Sequence, residues 1–504
     1  MNYFLLTLKK ELHHKINLYY MKTTLTLTAC LLFSNLFAQV TLTVGSDAKT
    51  NLIKESTPYC FQTTSYSYFV TKYFKSAEMH YNATVFDKNG LTVFDDEIKI
   101  PGGVFNNTYG IDDIVVLGNE AFALVEHLDK AAGANTLTAR KFESAGKVAT
   151  AETALMKIPF EKIMNSGYNY AAVSPDNKTM AIVGEMPFNK EQPCILKINL
   201  FDASLKNLHT QEITLPGENK KNKAFEVLVN NNGLVYIIKR STTKNGEIAL
   251  TAYACDVTKN NTVKEFVIEL AAPEYILSYK NGVADNGQLV VAGLSYKRAT
   301  ISANETKTTG TFYFTNTGFE KPEMMVVPLT TPIDNLTARK LIFNGNTTFL
   351  AAEQYKAERE TQPPGTTGFD YNYNYTHKND YIIGFDNTGN RKFEMPLMKD
   401  FKARNFDLQH YANYFVVNNK LTVFYNDETK KYIQNDYTYG YLLPTIVQIT
   451  NDGLMQSPVV LRDKIRLPQQ QILYPVYGVQ TSGNQINMLM INSNFMQLLT
   501  TKIE

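Results

Sequence analysis

The chain has 504 residues, 44% hydrophobic and 12% aromatic, with 31 Tyr, 29 Phe, no Trp and a formal net charge of +2. That is ample apolar material for a large buried core, and the near-neutral balance without basic clusters argues against nucleic acid or an anionic membrane as a partner. Aromatic and β-branched abundance, with 27 Gly and 18 Pro, favours strands and turns over helices.

The N-terminus reads as a targeting segment. Met21-Lys22 opens a short basic region, Leu25 to Phe37 is apolar, and Ala38 supplies a small residue before Gln39. This pattern predicts a secretory signal peptide over residues 1–38, cleaved after Ala38. Residues 1–20 are either an over-extended start or a long n-region. The Leu36-Phe37-Ala38-Gln39 ending resembles the leaders of secreted Bacteroidota proteins, which implies a periplasmic or extracellular location. Leu27-Thr28-Ala29-Cys30 resembles a lipobox, with Cys30 as lipid anchor. The next residues, Leu31-Leu32-Phe33, stay apolar where a lipoprotein turns polar, and so argue against it. No second apolar run reaches the roughly 18 residues needed to span a bilayer, so no transmembrane segment is expected in the mature chain. No Pro/Gly/Ser linker divides residues 39–504, which predicts one domain.

A short turn then returns along the chain. It reads Phe86-Asp87-Lys88-Asn89-Gly90, Phe142-Glu143-Ser144-Ala145-Gly146, Phe201-Asp202-Ala203-Ser204, Cys255-Asp256-Val257-Thr258, Phe314-Thr315-Asn316-Thr317-Gly318, Phe385-Asp386-Asn387-Thr388-Gly389 and Ile449-Thr450-Asn451-Asp452-Gly453. The first residues lie 56, 59, 54, 59, 71 and 64 positions apart. An Asp or Thr side chain accepts a bond from the backbone two residues on, and Gly takes the left-handed conformation that closes a hairpin. A period near 60 marks a repeat architecture.

Each unit spells four strands, A to D. In the third, Tyr170–Val173, Met180–Gly184, Cys194–Phe201 and Gln211–Leu215 follow one another. The second strand is an almost continuous apolar run. It recurs at Ala121–Leu128, Leu234–Lys239, Leu289–Tyr296, Thr348–Tyr355, Leu421–Tyr425 and Ile486–Asn492, as a strand covered on both faces should. Repeated four-stranded antiparallel units predict an all-β fold, a β-propeller, because radial repetition buries both faces of each sheet. The turn Ser174-Pro175-Asp176-Asn177-Lys178 before an apolar strand resembles the repeat of WD40-like and TolB-like propellers. That resemblance implies the fold and carries no function. Blades are expected over 57–100, 111–160, 168–216, 224–271, 276–330, 336–399 and 406–462. Residues 472–504 add three strands, and Val40–Val44 would close them into an eighth blade. The competing count is seven, with the C-terminal strands pairing to residues 79–100.

Strand parity puts A–B and C–D turns at one end of the ring and B–C and D–A connections at the other. The long B–C segments, Glu185–Pro193, Lys297–Gly310, Lys356–Asp380 and Asn426–Gly440, therefore gather at one end, where binding usually sits on a rigid scaffold. Lys356–Asp380 holds Tyr371, Tyr373 and Tyr375, which point one way in an extended chain. Tyr437, Tyr439 and Tyr441 repeat the spacing near the next B–C connection. Two tyrosine rows on adjacent blades would form a platform for a protein or glycan, since Tyr offers a ring and a hydroxyl at low entropy cost. Against this stands a plainer reading, in which the rows extend strands B and C and pack on neighbouring blades.

Catalytic signatures are missing. The mature chain has His80, His127, His209, His377 and His410 in no zinc spacing, and no Gly-x-Ser-x-Gly elbow or phosphate-binding glycine loop. Asp95-Asp96-Glu97 and Asp112-Asp113 lack the spacing of a calcium loop. No cofactor or metal is expected. Cys60, Cys194 and Cys255 form no disulfide framework, and Cys194 and Cys255 read as buried thiols. The sequence points to a secreted, non-enzymatic propeller that binds an envelope or extracellular protein, or a polysaccharide, through its long-loop face. A hydrolase or lyase on a propeller scaffold is the alternative, and a structural surface protein without ligand the third reading.

Overall fold

Val183, Ile237, Val291, Leu350 and Val423, chosen from the apolar second strands, are all fully buried, each on the middle of a sheet in the computed structural model. The structure describes residues 40–49, 59–75, 78–99, 108–143, 146–216, 223–259, 262–301, 306–360, 372–404, 408–428, 442–461, 472–491 and 495–504. The leader, Ala38 and Cys30 lie outside them. The described residues fold into eight antiparallel sheets, a β-propeller. Their helical pieces are short 3-10 turns, such as those at Ile163–Asn165 and Leu408–His410.

Each sheet pairs its strands in sequence order. Blade 3 runs Tyr168–Val173, Thr179–Glu185, Cys194–Asp202, Asn207–Leu215. The first strands of neighbouring blades meet all the way round, so they form the inner wall. Between each pair of adjacent sheets lies one apolar core. Val183, Ile198, Phe225 and Ile237 fill that between blades 3 and 4, and Tyr313, Leu350, Ile383 and Phe385 that between blades 5 and 6. Cutting any of the five probe residues to Ala is expected to cost about 1–4 kcal/mol, a transfer term plus a cavity term, read from denaturant midpoints.

The recurring turn works as its chemistry implies. Asp87 Oδ1 accepts from the Asn89 and Leu91 amides at 2.8 Å, and Asp386 Oδ1 from Thr388 and Asn390 at 2.9 Å. Gly90 and Gly389 hold φ of +78° and +87°. The turn joins strands C and D in each of these units.

The blade count is eight. Val40–Lys49 pairs with Phe495–Ile503, Val40 facing Ile503 and Lys49 facing Phe495, and becomes the outer strand of the last sheet. The seven-blade pairing with residues 79–100 does not occur, because Glu78–Asp87 and Thr92–Glu97 are taken by blade 1. Gly45 lies so close to the Gly90 carbonyl that a Cβ would stand 2.3 Å from its oxygen. Ser46 N donates to that same carbonyl at 2.9 Å, so the closing strand is also tied to the first turn of the ring.

Two expectations about loops change. Lys297–Gly310 and Lys356–Asp380 are largely hairpin arms. In blade 5, Leu289–Ile301 pairs with Thr306–Asn316, and in blade 6, Thr347–Arg359 pairs with Tyr373–Asp386. Antiparallel pairing with the partner strand satisfies the backbone of these arms beyond the blade proper. The described part of Asn426–Gly440 likewise begins as strand, within Lys420–Glu428.

Candidate functional site: an aromatic hairpin on a buried ion cluster

Blade 6 departs furthest from the repeat. Its second and third strands, Thr347–Arg359 and Tyr373–Asp386, have 13 and 14 residues. A fifth strand, Phe401–Arg404, pairs with the upper part of the third through Asn374–Arg404, Tyr375–Ala403, Thr376–Lys402 and His377–Phe401. No other sheet among the described residues has five strands.

Register places Tyr373, Tyr375 and His377 on one face of this extension. Arg359, Ala357 and Tyr355 stand opposite them on one side, and Ala403 and Phe401 on the other. The rings of Tyr373 and Tyr375 stack at 6.2 Å and 19°, and Tyr355 and Tyr375 repeat both values. The file continues inward: Tyr355 meets His377 at 5.1 Å and Tyr411 at 6.0 Å, and His410 stacks on Phe401 at 4.9 Å. The Arg339 guanidinium covers the rings of Tyr355 and Tyr411 at 4.6 and 4.8 Å, a favourable place for a cation over an aromatic face. Tyr373 is 39% exposed, and burial deepens along the file until His377 is fully enclosed.

Beneath the rings lies a cluster of charges. Lys399 Nζ reaches Glu353 Oε1 at 2.6 Å and Asp380 Oδ1 at 3.1 Å, and donates to the His410 carbonyl at 3.0 Å. His377 Nδ1 is 2.8 Å from Glu353 Oε1, and Arg339 Nε donates to Glu353 Oε2 at 2.8 Å. The side chains of Glu353, His377, Asp380 and Lys399 are at most 1% exposed. The ladder is irregular at this level: Arg339 is inserted between paired Ala338 and Lys340, and Glu353–Asp380 is separated from Tyr355–His377 by unequal numbers of residues. Such bulges turn side chains that a regular strand would aim elsewhere.

The charges divide unequally. Burial favours the neutral form of every carboxyl here. For Glu353 this is outweighed by Lys399, His377 and Arg339, which hold its carboxyl down to about 2. Asp380 has only a share of Lys399. Burial and the Glu353 charge push it up to about 7. Burial would discharge Lys399, yet the two carboxylates more than offset it and its ammonium is held above the usual range. Burial, then Asp380 and Glu353, push the Tyr414 phenol well up.

Of the tyrosines singled out by sequence, Tyr373 and Tyr375 belong to this file, as arms of a hairpin. Tyr371, Tyr437, Tyr439 and Tyr441 lie outside the described residues. Sequence reading missed Glu353, Asp380, Lys399 and Arg339 because they sit on three strands and a connection and come together only across the sheet. The one available signal was charged residues inside otherwise apolar second and third strands.

Elsewhere, Thr330, Thr331, Asp334, Gln354, Tyr381 and Glu394 line a recess of about 330 Å³ between blades 5 and 6. Glu97 of the acidic run bonds His80 Nδ1 at 2.6 Å, and Asp95 accepts from Thr84. Among the described residues no group of His, Cys, Asp and Glu is arranged to hold a metal ion, and no helix is long and apolar enough to cross a membrane. Cys194 and Cys255 are buried free thiols and Cys60 is half-buried. Burial pushes Cys255 up to about 12, far from a reactive thiolate.

The sheets define the class, a β-propeller. No protein-family model matches the chain and no curated protein does. The similar solved structures are distant propellers. They include the WD40 domain of SCAP from fission yeast, at 8% identity and a TM-score of 0.38, covering 92% of this chain and 97% of that one. An α-L-arabinanase of Penicillium chrysogenum complexed with arabinobiose has 9% identity and a TM-score of 0.37, over 62% of this chain and 94% of its own. An oligogalacturonate lyase in complex with manganese has 10% identity and a TM-score of 0.36, over 92% and 96%. Within the class the chain is a generic propeller.

Proposed function

We propose that this is an exported, non-enzymatic propeller that docks an envelope or extracellular protein, or a polysaccharide, on the end of the ring where the blade 5 and blade 6 hairpins project. The observation that carries the reading is the stacked file Tyr373–Tyr375–Tyr355, open at its outer end and seated on a buried ion cluster. A rigid aromatic row with an exposed tip is the kind of anchor that concentrates binding energy. Glu353, His377, Asp380 and Lys399 below it are buried, which supports reading them as a foundation for the row. Tyr371, Tyr437, Tyr439 and Tyr441 are proposed to extend the same contact surface.

Replacing both Tyr373 and Tyr375 by Ala is expected to weaken partner binding by at least about 2 kcal/mol, measured against envelope extract and then the purified partner. The folded structure should persist, since the pair lies beyond the apolar cores. Unchanged binding, or a lowered melting temperature as the sole effect, would show that the row only packs. Export carries its own test. Mass spectrometry of the mature protein is expected to find Gln39 at the N-terminus, and a diacylated Cys30 would make the protein a lipid-anchored one.

A further inference from the structure

We propose that the buried cluster of blade 6 is the site of a self-catalysed covalent link, an amide formed between the side chains of Asp380 and Lys399 with loss of water. The link ties the third strand to the connection that leads into the fifth, beneath the tyrosine file. It is independent of what the file binds.

Geometry supplies the reactants. Asp380 lies on Tyr373–Asp386, and Lys399 on the stretch between Arg391–Leu397 and Phe401–Arg404. Lys399 Nζ stands 3.1 Å from Asp380 Oδ1, one bond from the carbon it would attack, and 2.6 Å from Glu353 Oε1. Glu353 and Asp380 face each other directly across the second and third strands. All three side chains are at most 1% exposed. Holding a nucleophile against an acyl carbon is worth effective molarities of about 10⁵–10⁸ M in well-oriented cases. A site closed to water also disfavours the reverse hydrolysis.

The two carboxyls differ, and the difference selects the electrophile. Glu353 is met by Lys399, His377 and Arg339, which hold it as a carboxylate that resists attack. Among the described residues no donor but Lys399 approaches either oxygen of Asp380, and burial favours its neutral acid. The neutral acid is the form an amine can attack.

Atoms and charges balance within the cluster. Lys399 enters as ammonium and Asp380 as carboxylate. Nζ passes one proton to Asp380, which leaves a free amine facing a carboxylic acid. The nitrogen lone pair then forms the Nζ–Cγ bond. Nζ gives a second proton to Glu353 Oε1, and Glu353 hands it to the Asp380 hydroxyl. The Cγ–O bond breaks, water departs, and Glu353 is a carboxylate again. A neutral amide replaces a buried ion pair, an exchange that is often neutral or stabilising. Both carboxylates favour the ammonium, so surrender of the first proton is slow and the link forms after folding. The pH dependence that Asp380 gives to stability belongs to the chain before it is linked.

The test is the mass of the purified full chain, incubated at neutral pH and measured after denaturation at successive times. The chain is expected to become one water lighter than its sequence requires. A tryptic digest should then join the peptide carrying Asp380 to the one carrying Lys399, with no cleavage after Lys399. Lys399→Arg keeps a cation and removes the nucleophile, and is expected to retain its full mass. Glu353→Gln keeps the shape and removes the proton relay, and is expected to slow the loss at least about a hundredfold. The wild-type result decides by itself where a variant fails to fold. An unchanged wild-type mass overturns the inference. So does water lost elsewhere, such as a cyclic imide at Asp452-Gly453, or a link from Lys399 to Glu353. Water lost at the wild-type rate in Glu353→Gln would overturn the relay.

Discussion

A chain that starts at residue 50 is expected to be less stable by on the order of 5 kcal/mol and to self-associate. Val40 and Ala48 are buried and Leu42 is packed beside the blade 7–8 core. Full burial of a Val or Leu side chain is worth about 1.5–3 kcal/mol, and the ladder to Phe495–Ile503 contributes beyond that. A domain is typically stable by only about 5–15 kcal/mol, so the loss is a large share of the total. The strand Phe495–Ile503 would become an open edge, and such edges pair with other chains. Urea unfolding measures the first effect and size-exclusion chromatography the second. A truncated chain that stays monomeric with an unchanged midpoint would refute the closure.

The second large effect is at Lys399. Lys399→Ala leaves Glu353 and Asp380 buried beside each other without the cation that joins them. Removing one partner of a buried pair typically costs about 3–5 kcal/mol. The loss should be smaller at pH 5 than at pH 8, because Asp380 takes up a proton more readily than its neighbour.

The wild-type pH profile follows from the same two carboxyls. Asp380 sits at about 7 in the fold against 3.8 for a free side chain. The folded state therefore keeps a proton that the unfolded chain releases. The stability this contributes is full below about pH 4 and is lost as pH rises through 7. Glu353 works in the other sense. It lies at about 2 against 4.5, so its contribution is present above about pH 4.5 and is lost as pH falls towards 2. Asp380→Asn is expected to flatten the falling limb between pH 5 and 8 in thermal melts. A limb unchanged in that variant would assign it to another group.

Much of the ring was legible in the chain because its signals are local. Asp87, Asp202 and Asp386 bond the backbone two and four residues ahead, so each turn is written in five consecutive letters. The apolar second strands are equally local, and blade limits followed from both. The candidate site was legible only in part. The alternate spacing of Tyr373 and Tyr375 showed that they share a side, but the proline and glycine between Arg359 and Tyr373 made an extended hairpin read as a loop. The fifth strand, Phe401–Arg404, is too short to carry a period. The ion cluster joins Arg339, Glu353, Asp380 and Lys399 across three strands and a connection, and charges that far apart in sequence read one by one as solvent-facing.

Closing the ring with its two ends sets an order on folding. Blades 1 to 7 are each made from one continuous stretch, so each sheet can form as soon as its own residues are available. The eighth must bring Val40–Lys49 to Phe495–Ile503, a loop that encloses all the other blades. Its closure entropy grows only with the logarithm of length, so the penalty is modest in equilibrium terms. The delay is the larger matter, since non-local pairings form slowly. Until that last pairing the final sheet has an unprotected flank, and the interval before the ends meet is when a newly made chain is most exposed to joining another copy of itself.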